Sequence, residues 1–238
     1  MPVIFTLSRD VSTMFPEAQI RLVAAHGLRN PKVWPEAEAA LRGLEEDLAA
    51  GTWAPFGEED PQVLSWHEAF RKFGTNPRRL RSSMDALSRR MAKSGALPRI
   101  SGAVDAYNCV SVRFGTPAGA FDLSRLTGEV MIRLAVAGDT FTPLGEPDVT
   151  EEPRPGEVVY ALGSQVLTRH WNHRDCDQTK VEDTSGDVVF VIERVSAEAV
   201  PDDVLQSAQQ ALSEMLAGHA ESVSAATLDA EQPTATVD

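Results

Sequence analysis

Cysteine is scarce: Cys109 and Cys176 are the two in 238 residues, too few for a disulfide framework and in keeping with a reducing compartment. Long apolar runs are missing too. Nothing approaches the roughly 18 consecutive apolar residues that span a bilayer, so no membrane partner is expected. The start MPVIFTLSRD has neither the basic residues nor the long apolar stretch of a secretion signal, and the expected location is the cytoplasm. There is no glycine-rich phosphate loop, no G-x-S-x-G elbow and no cysteine-nucleophile signature. Those absences remove the commonest marks of nucleotide binding and of nucleophilic catalysis.

Positive charge is also in short supply. The formal net charge of -13 argues against a protein that coats nucleic acid indiscriminately, because its average surface repels phosphate, and no DNA partner is expected. Any nucleic-acid partner must meet a local patch. One segment qualifies: Arg71, Lys72, Arg78, Arg79, Arg81, Arg89, Arg90, Lys93 and Arg99 are nine of the 22 basic residues, against the single acid Asp85. With 42% hydrophobic and 24% charged residues, the chain otherwise has the composition of a globular protein able to bury a sizeable core.

Residues 1–218 read as one domain. Val3 to Leu7 and Ile20 to Ala25 are short, apolar and partly β-branched, as strands are. Helices are predicted over Pro35 to Ala50 and over Pro61 to Phe73, with Gly51 and Gly74 as their stops. A further helix is predicted over Pro77 to Ser94. Its Leu80, Met84, Leu87 and Met91 form one apolar stripe, and Arg78, Arg79, Arg89, Arg90 and Lys93 lie opposite. Ala103 to Phe114 fits helix or strand equally on composition. Strands are predicted over Val130 to Ala135, Val158 to Ala161, Gln165 to Trp171 and Val188 to Ile192, with a tight turn at Leu162-Gly163-Ser164. Pro201 opens a last amphipathic helix. Residues 219–238 have few large apolar side chains and no Lys or Arg, and are expected to form a disordered acidic tail.

His170, His173 and Cys176, with Asp175 and Asp177 between them, are ligand types for zinc. Residues three apart on a strand point to opposite faces, however, and no second cluster completes the set. No metal and no cofactor is therefore expected. Trp66, Trp171 and Tyr107 read as core residues.

Several blocks in order carry a family resemblance. They are Ser101-Gly102-Ala103-Val104-Asp105-Ala106-Tyr107-Asn108, then the run from Gly115 to Leu126, GTPAGAFDLSRL, then Met131 to Asp139, MIRLAVAGD. Upstream stand Phe70 to Gly74 with Pro77, Arg81 and Ser83, and downstream Arg169-His170-Trp171-Asn172-His173-Arg174. Together they make the chain resemble a free-standing relative of the editing domain of the phenylalanyl-tRNA synthetase β subunit, over about Phe70 to Ile192. The resemblance implies an α+β fold, with a β-sandwich-like core flanked by helices. It also implies a tRNA partner and hydrolysis of a mischarged aminoacyl ester in trans. Asn108, Asn172, Arg174 and Asp175 would be the catalytic group, with Asp105, Gly119, Phe121, Trp171 and His173 around the substrate. Arg71, Arg78, Arg79, Arg81, Arg89, Arg90 and Lys93 would meet the tRNA. Two departures stand out: the synthetase pattern has histidine where this chain has Gly119, and the synthetase acid finds only a displaced counterpart in Asp175. A different substrate is expected on that ground. The alternatives are a tRNA-binding module without turnover, or a domain binding an amino acid or another small molecule.

Overall fold

The computed structural model describes residues 2–237. The chain begins with β1 (Val3–Leu7), α1 (Arg9–Met14) and β2 (Gln19–His26), followed by four helices: α2 (Pro35–Ala50), α3 (Pro61–Lys72), α4 (Ser83–Ser94) and α5 (Gly102–Phe114). Five strands come next: β3 (Ala118–Asp122), β4 (Glu129–Leu134), β5 (Val158–Leu162), β6 (Gln165–Arg169) and the two-residue β7 (Arg174–Asp175). Then come β8 (Val188–Arg194), α6 (Asp202–Ala217), β9 (Ser222–Leu228) and β10 (Thr234–Val237). The fold is α+β, as the resemblance implies.

The strands form two sheets, one ordered β10-β1-β4-β5-β6-β7 and one ordered β3-β8-β2-β9. Strand alternation explains how they stack. Ile20, Leu22, Val189 and Val191 share a core with Phe5, Val130, Ile132 and Tyr160 of the larger sheet. Their neighbours Val23, Ala25, Val188, Phe190 and Ile192 turn the other way and pack with Ala106 and Val110 of α5 and Leu205 and Leu212 of α6. The β3-β8-β2 part of the smaller sheet is thus buried on both faces, while β9 at its edge is largely exposed. That is why Val188 to Ile192 reads as an unbroken apolar run and not as an alternation. A third cluster, Leu41, Leu44, Met91, Cys109 and Val112, binds α2, α4 and α5 together.

The ambiguous stretch 103–114 is helical. Ser101 caps it by accepting from the Val104 amide, and Gly115 ends it with a φ of 68°. The basic helix, in contrast, is shorter than its periodicity suggests. Residues 77–80 form a turn in which the Asn76 side chain accepts from the Arg78 amide, and helix α4 starts only after Ser82 caps the Asp85 amide. Leu80, Arg78 and Arg79 therefore stand outside the helix that carries Arg89, Arg90 and Lys93. A local asparagine turn followed by a serine cap outcompetes continuation of the helix.

The acidic tail is ordered in strands, which corrects the expectation of disorder. β9 lies antiparallel along the whole of β2, from Ile20 opposite Leu228 to His26 opposite Ser222, and β10 pairs with β1. Backbone hydrogen bonds to two waiting strand edges hold the segment, so it needs only Leu228, Ala235 and Val237 as buried anchors.

Candidate functional site

Between the two sheets lies a small cavity enclosing about 40 Å3. One wall comes from three neighbouring strands of the larger sheet: Tyr160 sits opposite Thr168, and Thr168 opposite Asp175. The facing wall is Gly119 and Phe121 of β3 with Val191 and Glu193 of β8. Ser83, the first residue of α4, and the tip Trp171-Asn172-His173 between β6 and β7 close it. The pocket therefore needs both sheets and the α4 terminus.

Glu193 is its most buried carboxyl, 1% exposed. Its carboxylate accepts from the Tyr160 hydroxyl, from Trp171 Nε1 at 3.0 Å and from Asn172 Nδ2 at 2.8 Å. Burial pushes the carboxyl up to about 7 against the pull of those three donors. Asp175 accepts from Thr168 Oγ1 at 2.8 Å, and burial raises it to about 6. Among the described residues, no Lys or Arg lines the cavity.

The tip is built under strain. His170 and Trp171 have φ of 48° and 68°, the left-handed region that bulky residues avoid. That is why β6 stops at Arg169 instead of running to Trp171. Surrounding contacts hold the tip in place: the Trp171 amide donates to the Val158 carbonyl at 2.6 Å, and the indole meets Phe15 and Trp66 edge-on at centroid distances of 5.0 and 5.4 Å. His170 Nδ1 lies 2.9 Å from Thr75 Oγ1 and 3.3 Å from Glu157 Oε2, and burial pushes this imidazole down to about 4, so it is neutral. His173 Nδ1 donates to the Arg81 carbonyl at 2.7 Å, and the Ser83 amide donates to the Asn172 carbonyl at 2.9 Å. Helix α4 and the tip are thereby locked together.

Two buried polar atoms of residues lining the cavity have no hydrogen-bond partner among the described residues: Asn172 Oδ1 and Ser83 Oγ. The Asn172 amide is oriented by Glu193. A carboxylate takes the Nδ2 side, so the oxygen is turned away from Glu193.

Of the residues singled out from the sequence, Gly119, Phe121, Trp171, Asn172, His173 and Asp175 meet at this pocket. Asn108 and Asp105 do not. Both are buried in α5, and Asp105 Oδ1 accepts from the Ile100 amide at 2.9 Å, securing the helix start. Arg174 also falls outside, its guanidinium paired with Glu146 at 2.6 Å and reaching Glu151 at 3.9 Å. Residues one apart on a strand face opposite ways, so Arg174 and Asp175 could not share the cavity. Sequence reasoning misses Glu193, Tyr160, Thr168 and Ser83. An acid ending the apolar run VVFVIE, in phase with Val189 and Val191, is the signal that could have found the first of them.

The basic segment divides in two. Arg89 pairs with Asp85 at 2.7 Å and with Glu58, Arg81 lies 3.6 Å from Asp85, and Arg99 binds Glu38 and Glu45 at 2.7 Å each. Among the described residues, Arg71, Arg78, Arg79, Arg90 and Lys93 have no carboxylate within 4.0 Å. Arg71 and Arg78 flank an open cleft over Gly74 to Pro77, where Arg154 donates to the Gly74 carbonyl at 3.0 Å. Thr75, on the cleft floor, is the residue that contacts His170. The cleft and the pocket thus adjoin across the strained tip.

His170, His173 and Cys176 hold separate partners, the Cys176 thiol lying 3.2 Å from Thr179 Oγ1. Among the described residues no group of three or more His, Cys, Asp or Glu is arranged to hold a metal. Cys109 and Cys176 are both free and buried.

The structure is thus an α+β domain whose two sheets enclose an acid-lined pocket, with an arginine-flanked cleft over Gly74 to Pro77. The particular family is clear from residues 65–213, which match the B3/4 domain, and the chain belongs to that family. The chain is 35% identical over 131 residues to the phenylalanine–tRNA ligase β subunit of Nocardia farcinica (strain IFM 10152), covering 55% of this chain and 15% of that protein. It is 29% identical over 140 residues to the same subunit of Corynebacterium jeikeium (strain K411), covering 56% and 16%. The chain thus spans about a sixth of the length of these relatives. A crystal structure of an N-terminal fragment of the phenylalanyl-tRNA synthetase β subunit from Pyrococcus horikoshii aligns with a TM-score of 0.43 at 13% identity, covering 89% of this chain and 49% of that one. Among the described residues no helix is long and apolar enough to cross a membrane.

Proposed function

We propose that this chain hydrolyses aminoacyl esters on tRNA, acting in trans in the cytoplasm. The observation that carries this reading is the adjacency of an acid-lined pocket sized for a small polar group and a cleft of arginines without carboxylate partners. An aminoacyl ester is already activated, so placing a water against its carbonyl supplies much of the rate. Asp175 is suited to hold that water, because a carboxyl raised to about 6 is mostly ionised at neutral pH yet close enough to accept a proton. Ser83, a lining residue whose buried hydroxyl has no partner among the described residues, offers a donor that can turn toward the developing oxyanion. Arg71, Arg78 and Arg154 supply charge for the phosphates of the acceptor strand, with Arg79, Arg90 and Lys93 extending that surface. The relatives named as phenylalanine–tRNA ligase β subunits support the tRNA assignment.

A panel of mischarged tRNAs tests the proposal. At least one should be deacylated well above the buffer rate, and no acceleration for any of them would remove the proposal. Asp175→Ala should lower kcat/KM about 100-fold, in the range of a lost general base. In the parent protein kcat/KM should rise as pH rises through about 6, because the ionised form of Asp175 is the active one. A flat profile between pH 5 and about 7 would transfer the base role elsewhere.

Replacing Arg71, Arg78 and Arg154 together with alanine should weaken tRNA binding at least about 10-fold. It should also reduce the slope of log affinity against log salt by about 2 to 3, one contact per arginine. Filter binding at several salt concentrations measures both. An unchanged slope would mean that the RNA lies on another face.

A further inference from the structure

We infer that the cavity between the sheets sorts aminoacyl esters by size, admitting side chains of about three non-hydrogen atoms or fewer, and that Gly119 is the residue that sets this limit. The inference deepens the proposed function and rests on it for the ester. The geometry of the filter stands apart from that reading. A hydrolytic site can discriminate by entry alone, turning over the esters small enough to fit.

Strand phase aims position 119 at the gap between the sheets. In β3, Gly119 pairs with Val191 of β8, and Phe121, two residues on, shares its face. Phe121 and Val191 belong to the core between the sheets, whereas Ala118 and Ala120 pack on the helix side. A side chain at 119 therefore enters the space the cavity occupies. Its Cβ would meet only Val191 Cγ2 within 4 Å, at 3.7 Å, an ordinary contact. The backbone does not demand glycine here either: Gly115 ends α5 at a φ of 68°, but Gly119 lies within a regular strand. What glycine contributes at this position is empty volume.

That volume is small and its walls are fixed. A space of about 40 Å3 holds roughly three waters at about 10–15 Å3 each, which suits an alanyl, seryl, threonyl or valyl side chain and not an aromatic ring. Trp171 is wedged between Phe15 and Trp66, and Phe121 packs on Tyr160 at a centroid distance of 5.6 Å. Three lining side chains, Tyr160, Trp171 and Asn172, donate to the same Glu193 carboxylate, so swelling the cavity would pull that acid from one of them. The tip is pinned to α4 as well, by the Ser83 amide and by His173. Asp175 lines the same space. A side chain too large to enter keeps its ester away from that carboxyl, so exclusion acts on rate as well as on binding.

Binding is tested with amides, which keep the amino and carbonyl groups of the ester but resist hydrolysis. Alaninamide, valinamide, leucinamide and phenylalaninamide are titrated into the full chain while the Trp171 Nε1–H signal is followed by NMR. Saturable shifts are expected with alaninamide and valinamide, and affinity at least about 10-fold lower for phenylalaninamide. Gly119→Val should weaken alaninamide at least about 10-fold, and Val191→Ala, which removes the atom nearest position 119, should extend saturable binding to leucinamide. Circular dichroism checks that both variants fold. Gly119→Ala is the milder probe, and should shift preference from valinamide to alaninamide. Equal affinity for all four amides, no saturable response to any, or alaninamide binding that survives Gly119→Val undiminished overturns the inference.

The second arm compares deacylation of alanyl, valyl, leucyl and phenylalanyl esters on a tRNA acceptor hairpin. Alanyl and valyl esters should be hydrolysed at least about 10-fold faster than phenylalanyl, and Gly119→Val should remove that advantage. Deacylation that ignores side-chain size overturns the inference while leaving the deacylase reading intact. Size-graded amide binding with no deacylation of any ester removes that reading and leaves the filter at Gly119 standing.

Discussion

Glu193→Ala is expected to lower the unfolding free energy by about 3–5 kcal/mol, because it strips the common acceptor from three buried donors at once. The Tyr160 hydroxyl, the Trp171 indole and the Asn172 amide all converge on that carboxylate. Each orphaned donor costs about 1–3 kcal/mol, reduced where water enters the space. Urea denaturation at fixed pH measures the loss. The strained tip should also relax, since Trp171 and Asn172 lose the anchor that offsets their backbone conformation. A variant as stable as the parent would show that the acid is peripheral to the fold.

Glu193→Gln isolates the charge. In the folded chain the carboxyl is raised to about 7, above its ordinary 4.5. Between those values the folded state holds the proton and the unfolded state has lost it. The contribution of Glu193 is therefore complete below about 4.5 and falls by roughly 3 kcal/mol as pH rises through about 7. Asp175, raised from 3.8 to about 6, adds a fall of the same sign at lower pH. His170, lowered from 6.5 to about 4, acts oppositely: the unfolded state takes up its proton first, so its term rises with pH between those values. His173, also lowered, has the same sign as His170. The parent curve is thus a partial cancellation. The difference between parent and Glu193→Gln removes the shared terms and should slope downward from pH 5 to about 7.5. A level difference would mean that Glu193 keeps one protonation state throughout.

Deleting residues 219–238 should abolish the cooperative fold or lower Tm by about 10–20 °C. The cut removes β9 along the full length of β2 and β10 along β1, leaving an unpaired edge on each sheet. Burial of Leu228, Ala235 and Val237 is lost as well. At about 1.5–3 kcal/mol for each fully buried large aliphatic side chain, the loss reaches about 4–6 kcal/mol. That is a large share of the roughly 5–15 kcal/mol that stabilises a domain. For a chain of this size each kcal/mol moves Tm by about 2–4 °C. Thermal melts followed by circular dichroism decide it, and an unchanged melt would mean that the strands only decorate a core complete without them. Leu228→Asp probes the same contact without a truncation, and should give a smaller drop of the same sign.

Local chemistry makes several elements readable. The formers and stops of α2 and α3, the cap-and-glycine frame of α5, and the turn between β5 and β6 are encoded within a dozen residues each. The blocks from Leu97 to Leu126 carry the family, and the family carries the α+β fold. The departures share a cause. Periodicity overstates the length of helix α4 because a stripe of Leu and Met says nothing about the Asn76 turn that competes with it. Composition makes the tail look disordered because it does not register the backbone hydrogen bonds offered by distant edges.

The pocket shows the same divide more sharply. The sequence by itself determined which residues are apolar, which are acidic, and that Gly119 to Asp122 and Arg169 to Arg174 belong to one family's pattern. Tertiary structure alone decided which of them meet. Strand pairing sets Thr168 between Tyr160 and Asp175, and sheet stacking brings Glu193 opposite them, so four residues spread over more than thirty positions form one wall and its counterpart. The strand phase that turns Asp175 inward also turns Arg174 out to Glu146. The reason is physical: side-chain type is local, while burial and charge environment depend on what the other sheet places across the gap, and no one-dimensional pattern contains that distance.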